Sequence, residues 1–242
     1  MPTNLASSAP HIHPALSWAD DLKDWGPQPD AIEGASHSRG RLLWKSPGGA
    51  VESGIWICTP GRWRLSIPKE EVCHFVSGRA LYREDGGEEI TVGPGSVVHF
   101  HPGYKGECTV LEEMRVVYMA APYEGPQPGG AHVMRDPASI GDLVDWGPVP
   151  TMIEGQSRTS GRLLFKREGN RAETGIWICT PGTWNCHVTS DELCHFLSGR
   201  CTYTHESGDI IEIRPDTAAF FPEGWKGVCR IDETVRKVYM IR

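Results

Sequence analysis

Residues 186–192 place a thiol, an imidazole and a carboxylate within seven positions: Cys186, His187 and Glu192. All three are competent ligands for a divalent first-row metal. A histidine also titrates near neutrality, so His187 and Glu192 can equally serve as acid and base in a proton transfer. The plainer alternative keeps Cys186 in a core and leaves His187 at a strand end. His99 and His101 alternate along an apolar run and so share one face of a strand, turned either toward a site or outward. His11 and His13 have a ligand-like spacing, but no strand pattern aims them together.

Glu192 has a double. A shift of 121 carries Asp24-Trp25-Gly26-Pro27 onto Asp145-Trp146-Gly147-Pro148, and Gly54 to Gly61 onto Gly175 to Gly182. It also carries Glu71 onto Glu192 and Val117-Tyr118-Met119 onto Val238-Tyr239-Met240. Without a gap, 48 of 101 aligned positions are identical between 21–121 and 142–242. The chain therefore reads as an extension (1–20), a first domain (21–121), a Pro/Gly-rich linker (122–141) and a second domain (142–242). Within each unit, apolar and β-branched runs such as Ile55 to Thr59 and Glu71 to Val76 are closed by Gly/Pro turns at spacings near ten. That pattern predicts an all-β barrel or sandwich, with room for a short helix only near Ala138 to Val144. His74 and His195 are odd-numbered steps from Glu71 and Glu192, so they face away from them and are expected to pack between sheets or copies.

A buried, unpaired carboxylate costs several kcal/mol, so Glu71 and Glu192 must be solvated, protonated or paired. Lys105 and Lys226, or Arg79 and Arg200, are cations present in both copies that could pair with them. Trp63, Phe75 and Tyr104 in one copy, with Trp184, Phe196 and Trp225 in the other, can wall a pocket around each acid. Aromatic walls with a few converging polar groups suit a small-molecule ligand, although many such aromatics are core in any barrel.

With 24 Lys and Arg against 31 Asp and Glu, the net charge is −7. No footprint for nucleic acid or an anionic membrane surface is present. No apolar run reaches transmembrane length, and the N-terminus lacks the pattern of an export signal, so the cytoplasm is the expected compartment. The eight cysteines are accordingly expected as buried thiols rather than disulfides.

Glu71-(six residues)-Gly78 and Glu192-(six residues)-Gly199 resemble the first motif of the cupin family. Gly95-(five residues)-His101-Pro102-Gly103 and Asp216-(five residues)-Pro222-Glu223-Gly224 resemble its second. The repeated Gly-(Tyr or Trp)-Lys-Gly-x-Cys and Val-Tyr-Met are similar to the ureidoglycine aminohydrolase-like and ethanolamine-utilisation-type branch. The resemblance implies two tandem jelly-roll barrels forming a pseudo-dimer within one chain, a fold compatible with further pairing into a homodimer. It does not carry over the three-histidine metal site. Leu65 and Ile67, or Arg64 and Ser66, stand at the H-x-H positions of the first copy, and Gly106 and Gly227 replace the second-motif His. A divalent metal is thus an option only in the second barrel, on Cys186, His187 and Glu192, and none is expected in the first. The branch implies an enzyme acting on a small nitrogenous or carboxylate metabolite. A non-catalytic binding module and a structural or storage protein are the alternatives.

Overall fold

Gly and Pro cut each half into short strands, and the computed structural model pairs them into two ten-stranded antiparallel sheets. It describes residues 14–167 and 172–242, so His11 and His13 lie outside the described residues. Each sheet curls on itself, giving two tandem jelly-roll domains. In the first, the strand order is Ala131–Met134, Val97–Phe100, Glu70–Glu84, Tyr104–Ala121, Glu52–Cys58, His37–Lys45 and Lys23–Pro27. In the second it is Ala15–Leu16, Thr217–Phe221, Glu192–His205, Lys226–Ile241, Glu173–Cys179, Arg158–Lys166 and Val144–Pro148. Among the described residues there is no helix, and 137–139 form only a turn. None is therefore long and apolar enough to cross a membrane.

The long strands Glu70–Glu84 and Tyr104–Ala121 run through both walls of the first barrel, and their register shifts between Val110 and Val116 bend them from one wall to the other. Gly78 makes the bend with φ of 80°, a conformation that favours glycine. A Cβ there would lie 2.2 Å from the Glu113 carbonyl oxygen. Gly199 does the same against Thr234, with 2.3 Å to its carbonyl oxygen. The glycine seven residues after each glutamate is thus a requirement of the bend.

Three apolar cores result. One fills each barrel, and the third, with Val72, Val97, Val117 and Met119 from one half and Ile176, Leu193, Val238 and Met240 from the other, joins the barrels. His74 and His195 meet in that seam, Nδ1 to Nδ1 at 2.6 Å. They are equivalent residues of the two copies, as their parity leads one to expect. Burial lowers both pKa values, His74 to about 4. Both rings are therefore neutral, and one donates to the other. All eight cysteines are free, and seven are buried.

The segments flanking the barrels cross over. Ala15–Leu16, from the N-terminal extension, pairs with Thr217–Phe221 of the second barrel. Ala131–Met134, within the segment 122–141 expected as a linker, pairs with Val97–Phe100 of the first. Arg115 donates to the carbonyls of Ser17 and Ala19, and its equivalent Arg236 to those of Pro137 and Ile140. Each arm covers a strand that would otherwise be an open sheet edge.

Candidate functional site

Strand alternation turns Glu192, Cys194 and Phe196 to the inside of the second barrel, where Lys237 reaches them from the neighbouring strand. Lys237 Nζ lies 2.7 Å from Glu192 Oε1 and 3.1 Å from Cys194 Sγ, over the ring of Trp177 at 4.7 Å. Burial pulls the ammonium's pKa down, but the Cys194 sulfur and the Glu192 carboxylate outweigh it, and the group stays charged. The pair opens on a cavity of about 330 Å³ walled by Trp146, Trp177, Trp184, Tyr203, Phe221 and Tyr239. At its rim Glu173 accepts a hydrogen bond from Tyr239 at 2.5 Å and pairs with Lys166 at 2.8 Å. Cys186 lines this cavity, and burial pushes its thiol up to about 12, so it is not a thiolate at neutral pH.

The first barrel has a matching cavity of about 380 Å³, with Trp25, Trp56, Trp63, Tyr82, Phe100 and Tyr118 on equivalent walls. Its centre differs. Val116 stands where the second barrel has Lys237, and among the described residues Glu71 accepts only from Cys73 Sγ, at 3.3 Å. Burial raises the Glu71 pKa, with the charge of Glu52 adding to it. One barrel thus holds an ion pair and the other a carboxyl whose charged form is disfavoured by burial.

The remaining expected residues divide between lumen and elsewhere. Trp63, Trp184 and the two glutamates line the cavities. Phe75, Tyr104, Phe196 and Trp225 are fully buried in the barrel cores. Arg79 and Arg200 lie on the outer surface, paired with Glu112 and Glu233, and Lys105 and Lys226 are exposed. The cation at Glu192 is instead Lys237. Lys237 has no charged counterpart in the first copy, and its signal in the sequence is a charge inside an apolar strand: Arg115-Val116-Val117 becomes Arg236-Lys237-Val238.

The trio Cys186, His187 and Glu192 is not brought together. Strand Gly182–His187 alternates, with Trp184 and Cys186 inward and Asn185 and His187 outward. His187 lies in a shallow surface groove with His205, Glu206 and Lys226, on the far side of the sheet wall from Glu192. Neither lumen fits the metal of a three-histidine cupin. An ammonium already occupies Glu192, no histidine among the described residues lines either cavity, and glycines hold the second-motif position.

The profile of the EutQ-like cupin domain matches the sequence twice, over residues 45–118 and 166–239. Among solved structures, a DUF861-family protein of unknown function from Pseudomonas syringae is similar, with a TM-score of 0.77 at 18% identity, covering 97% of this chain and 100% of that one. Protein YlbA from E. coli, also DUF861, gives 0.62 at 11%, covering 96% and 91%. A cupin 2 conserved barrel domain protein from Leptotrichia buccalis gives 0.59 at 8%, covering 84% and 88%. At these identities the likeness is one of fold. No functionally curated protein matches the sequence.

Proposed function

Since the chain belongs to the EutQ-like cupin family in both halves, we propose that its second barrel is the working one, an enzyme site for a small nitrogenous or carboxylate metabolite. The observation that carries this reading is the Lys237–Glu192 pair, buried at the head of an aromatic cavity in one copy and absent from the other. A cavity of about 330 Å³ suits a metabolite of modest size, with the indoles and phenols excluding water from its face. Lys237 holds the Glu192 carboxylate at 2.7 Å, positioned to take a proton from a bound water or a substrate N–H. In C–N hydrolysis, Glu192 would draw the proton from the attacking water and return it to the leaving nitrogen. Lys237 would meanwhile stabilise the oxyanion that forms. The first barrel keeps the walls without the charge pair, which supports ligand binding there without proton transfer.

Thermal-shift screening with small carboxylates, ureides and amides, followed by turnover assays on each hit, tests the reading. A hit should stabilise and be turned over by the parent protein, and Lys237→Met/Glu192→Gln should lose turnover while Glu71→Gln keeps it. Turnover that survives the double variant, or that depends on Glu71 instead, overturns it.

A further inference from the structure

The only group of three ligating side chains that converges among the described residues lies outside both lumens. Glu70, His99 and His101 each offer a ligand atom, all within 4.8 Å of one another, in the seam between the barrels. Strand alternation puts them there: Val98 and Phe100 fill the first barrel, while His99 and His101 point out of it toward the second half. All three side chains are at least nine-tenths buried. Two atoms in the group have no hydrogen-bond partner, Glu70 Oε2 and His101 Nδ1. Buried polar atoms are rarely left so, and partnerless atoms on two members of a converging carboxylate–imidazole group suit a cation.

We propose that Glu70, His99 and His101 bind a divalent transition metal at the junction of the two halves. The surroundings are built as metal sites are. His99 Nδ1 lies 2.9 Å from Thr174 Oγ1, contributed by the second half, and His99 Nε2 lies 3.2 Å from Glu70 Oε1. A hydroxyl can donate or accept, so Thr174 can hold Nδ1–H when Nε2 ligates an ion and donate to Nδ1 otherwise. Phe165 packs against both imidazoles, with ring centroids 4.4 and 4.6 Å away, and fixes their orientation. Arg167 occupies Glu70 Oε1 at 2.8 Å, which leaves Oε2 as the ligand oxygen, with Arg242 3.6 Å from it. These two cations already compensate the single carboxylate, so the imidazoles set the preference. That favours Zn²⁺, Co²⁺ or Ni²⁺ over Mg²⁺ or Ca²⁺. The duplicated position has no imidazole: Asp191, Phe220 and Pro222 stand there, and Phe220 stacks on Trp44 at 5.5 Å. One ion per chain is therefore expected.

Tag-free, chelator-treated protein carrying His11→Ala and His13→Ala, titrated with Co²⁺ by visible absorption and with Zn²⁺ by calorimetry, tests this. One equivalent should bind with d–d bands, and Mg²⁺ should not compete. His101→Phe and His101→Gln should each weaken binding at least 100-fold while retaining the parent's circular dichroism, the Gln variant serving if the Phe variant does not fold. Thr174→Val should cost about tenfold, and Thr174→Ser should restore it. Glu192→Gln and His187→Ala should leave binding unchanged. Absence of a stoichiometric ion, binding indifferent to both His101 substitutions, or binding lost with His187→Ala overturns the proposal.

Discussion

One charged side chain separates the centres of the two lumens. Lys237 stands in one and Val116 in the other, with the aromatic walls kept and Cys186 and Val188 in place of Leu65 and Ile67, so Lys237→Val removes the charge that the first barrel's centre lacks. It leaves Glu192 without its cation, and breaking a partly buried pair in this way should cost about 3 kcal/mol. Adding Glu192→Gln removes the stranded charge, so the double variant should recover most of that loss in denaturant titrations. A single variant as stable as the double one would show that the pair is not coupled to folding. Neither outcome was legible from spacing alone. Proximity in sequence grouped Cys186, His187 and Glu192, yet adjacent strand residues face opposite ways, and that rule sends His187 outside as soon as Cys186 is placed inside. Lys237, 45 residues from Glu192, becomes a neighbour only through strand pairing.

At the scale of the element, the bend in the long strands was half visible. The Glu-(six residues)-Gly spacing marked Gly78 and Gly199, while the carbonyls they approach, on Glu113 and Thr234, are a matter of sheet register. Gly199→Ala must hold an alanine at φ near 84° and move a backbone oxygen, which should cost about 3 kcal/mol or more. For a chain of this size that lowers the melting temperature by about 6–12 °C. An unchanged melting temperature in calorimetry would mean the bend relaxes freely. The strands themselves were readable because Gly/Pro turns punctuate them. The two arms were not, since Ala15–Leu16 and Ala131–Met134 are short and gain their strand character only from the edges they cover.

For the whole molecule, the seam rather than either barrel sets the response to acid. His74 and His195 are neutral in the folded protein, surrounded by Val72, Val117, Leu193, Val238 and Met240, with Tyr239 the only other titratable side chain in that small space. Once unfolded, each binds a proton below its ordinary pKa of about 6.5. The unfolded chain therefore holds more protons between that value and the folded pKa, about 4 for His74, and stability falls as pH drops through this window. Together the pair should cost about 2.5 kcal/mol between pH 7.5 and 5.5. His74→Gln/His195→Gln should flatten the profile by that amount, measured as stability against pH, and parallel profiles would exclude the pair as its source. The pairing of equivalent histidines was foreshadowed by their parity, whereas the convergence of His99 and His101 on Glu70 required Thr174 and Phe165 from the other half.

The crossed arms also impose an order on the making of the protein. A chain is synthesised from its N-terminus, and pairings between distant residues form late. The first barrel can cover its open edge once Ala131–Met134 has emerged, some 34 residues after the strand it joins. Ala15–Leu16 must wait about 200 residues for Thr217–Phe221 to exist. Among the described strands, the earliest to leave the ribosome is thus among the last to dock, and the second barrel keeps an uncovered edge until a segment made long before it returns.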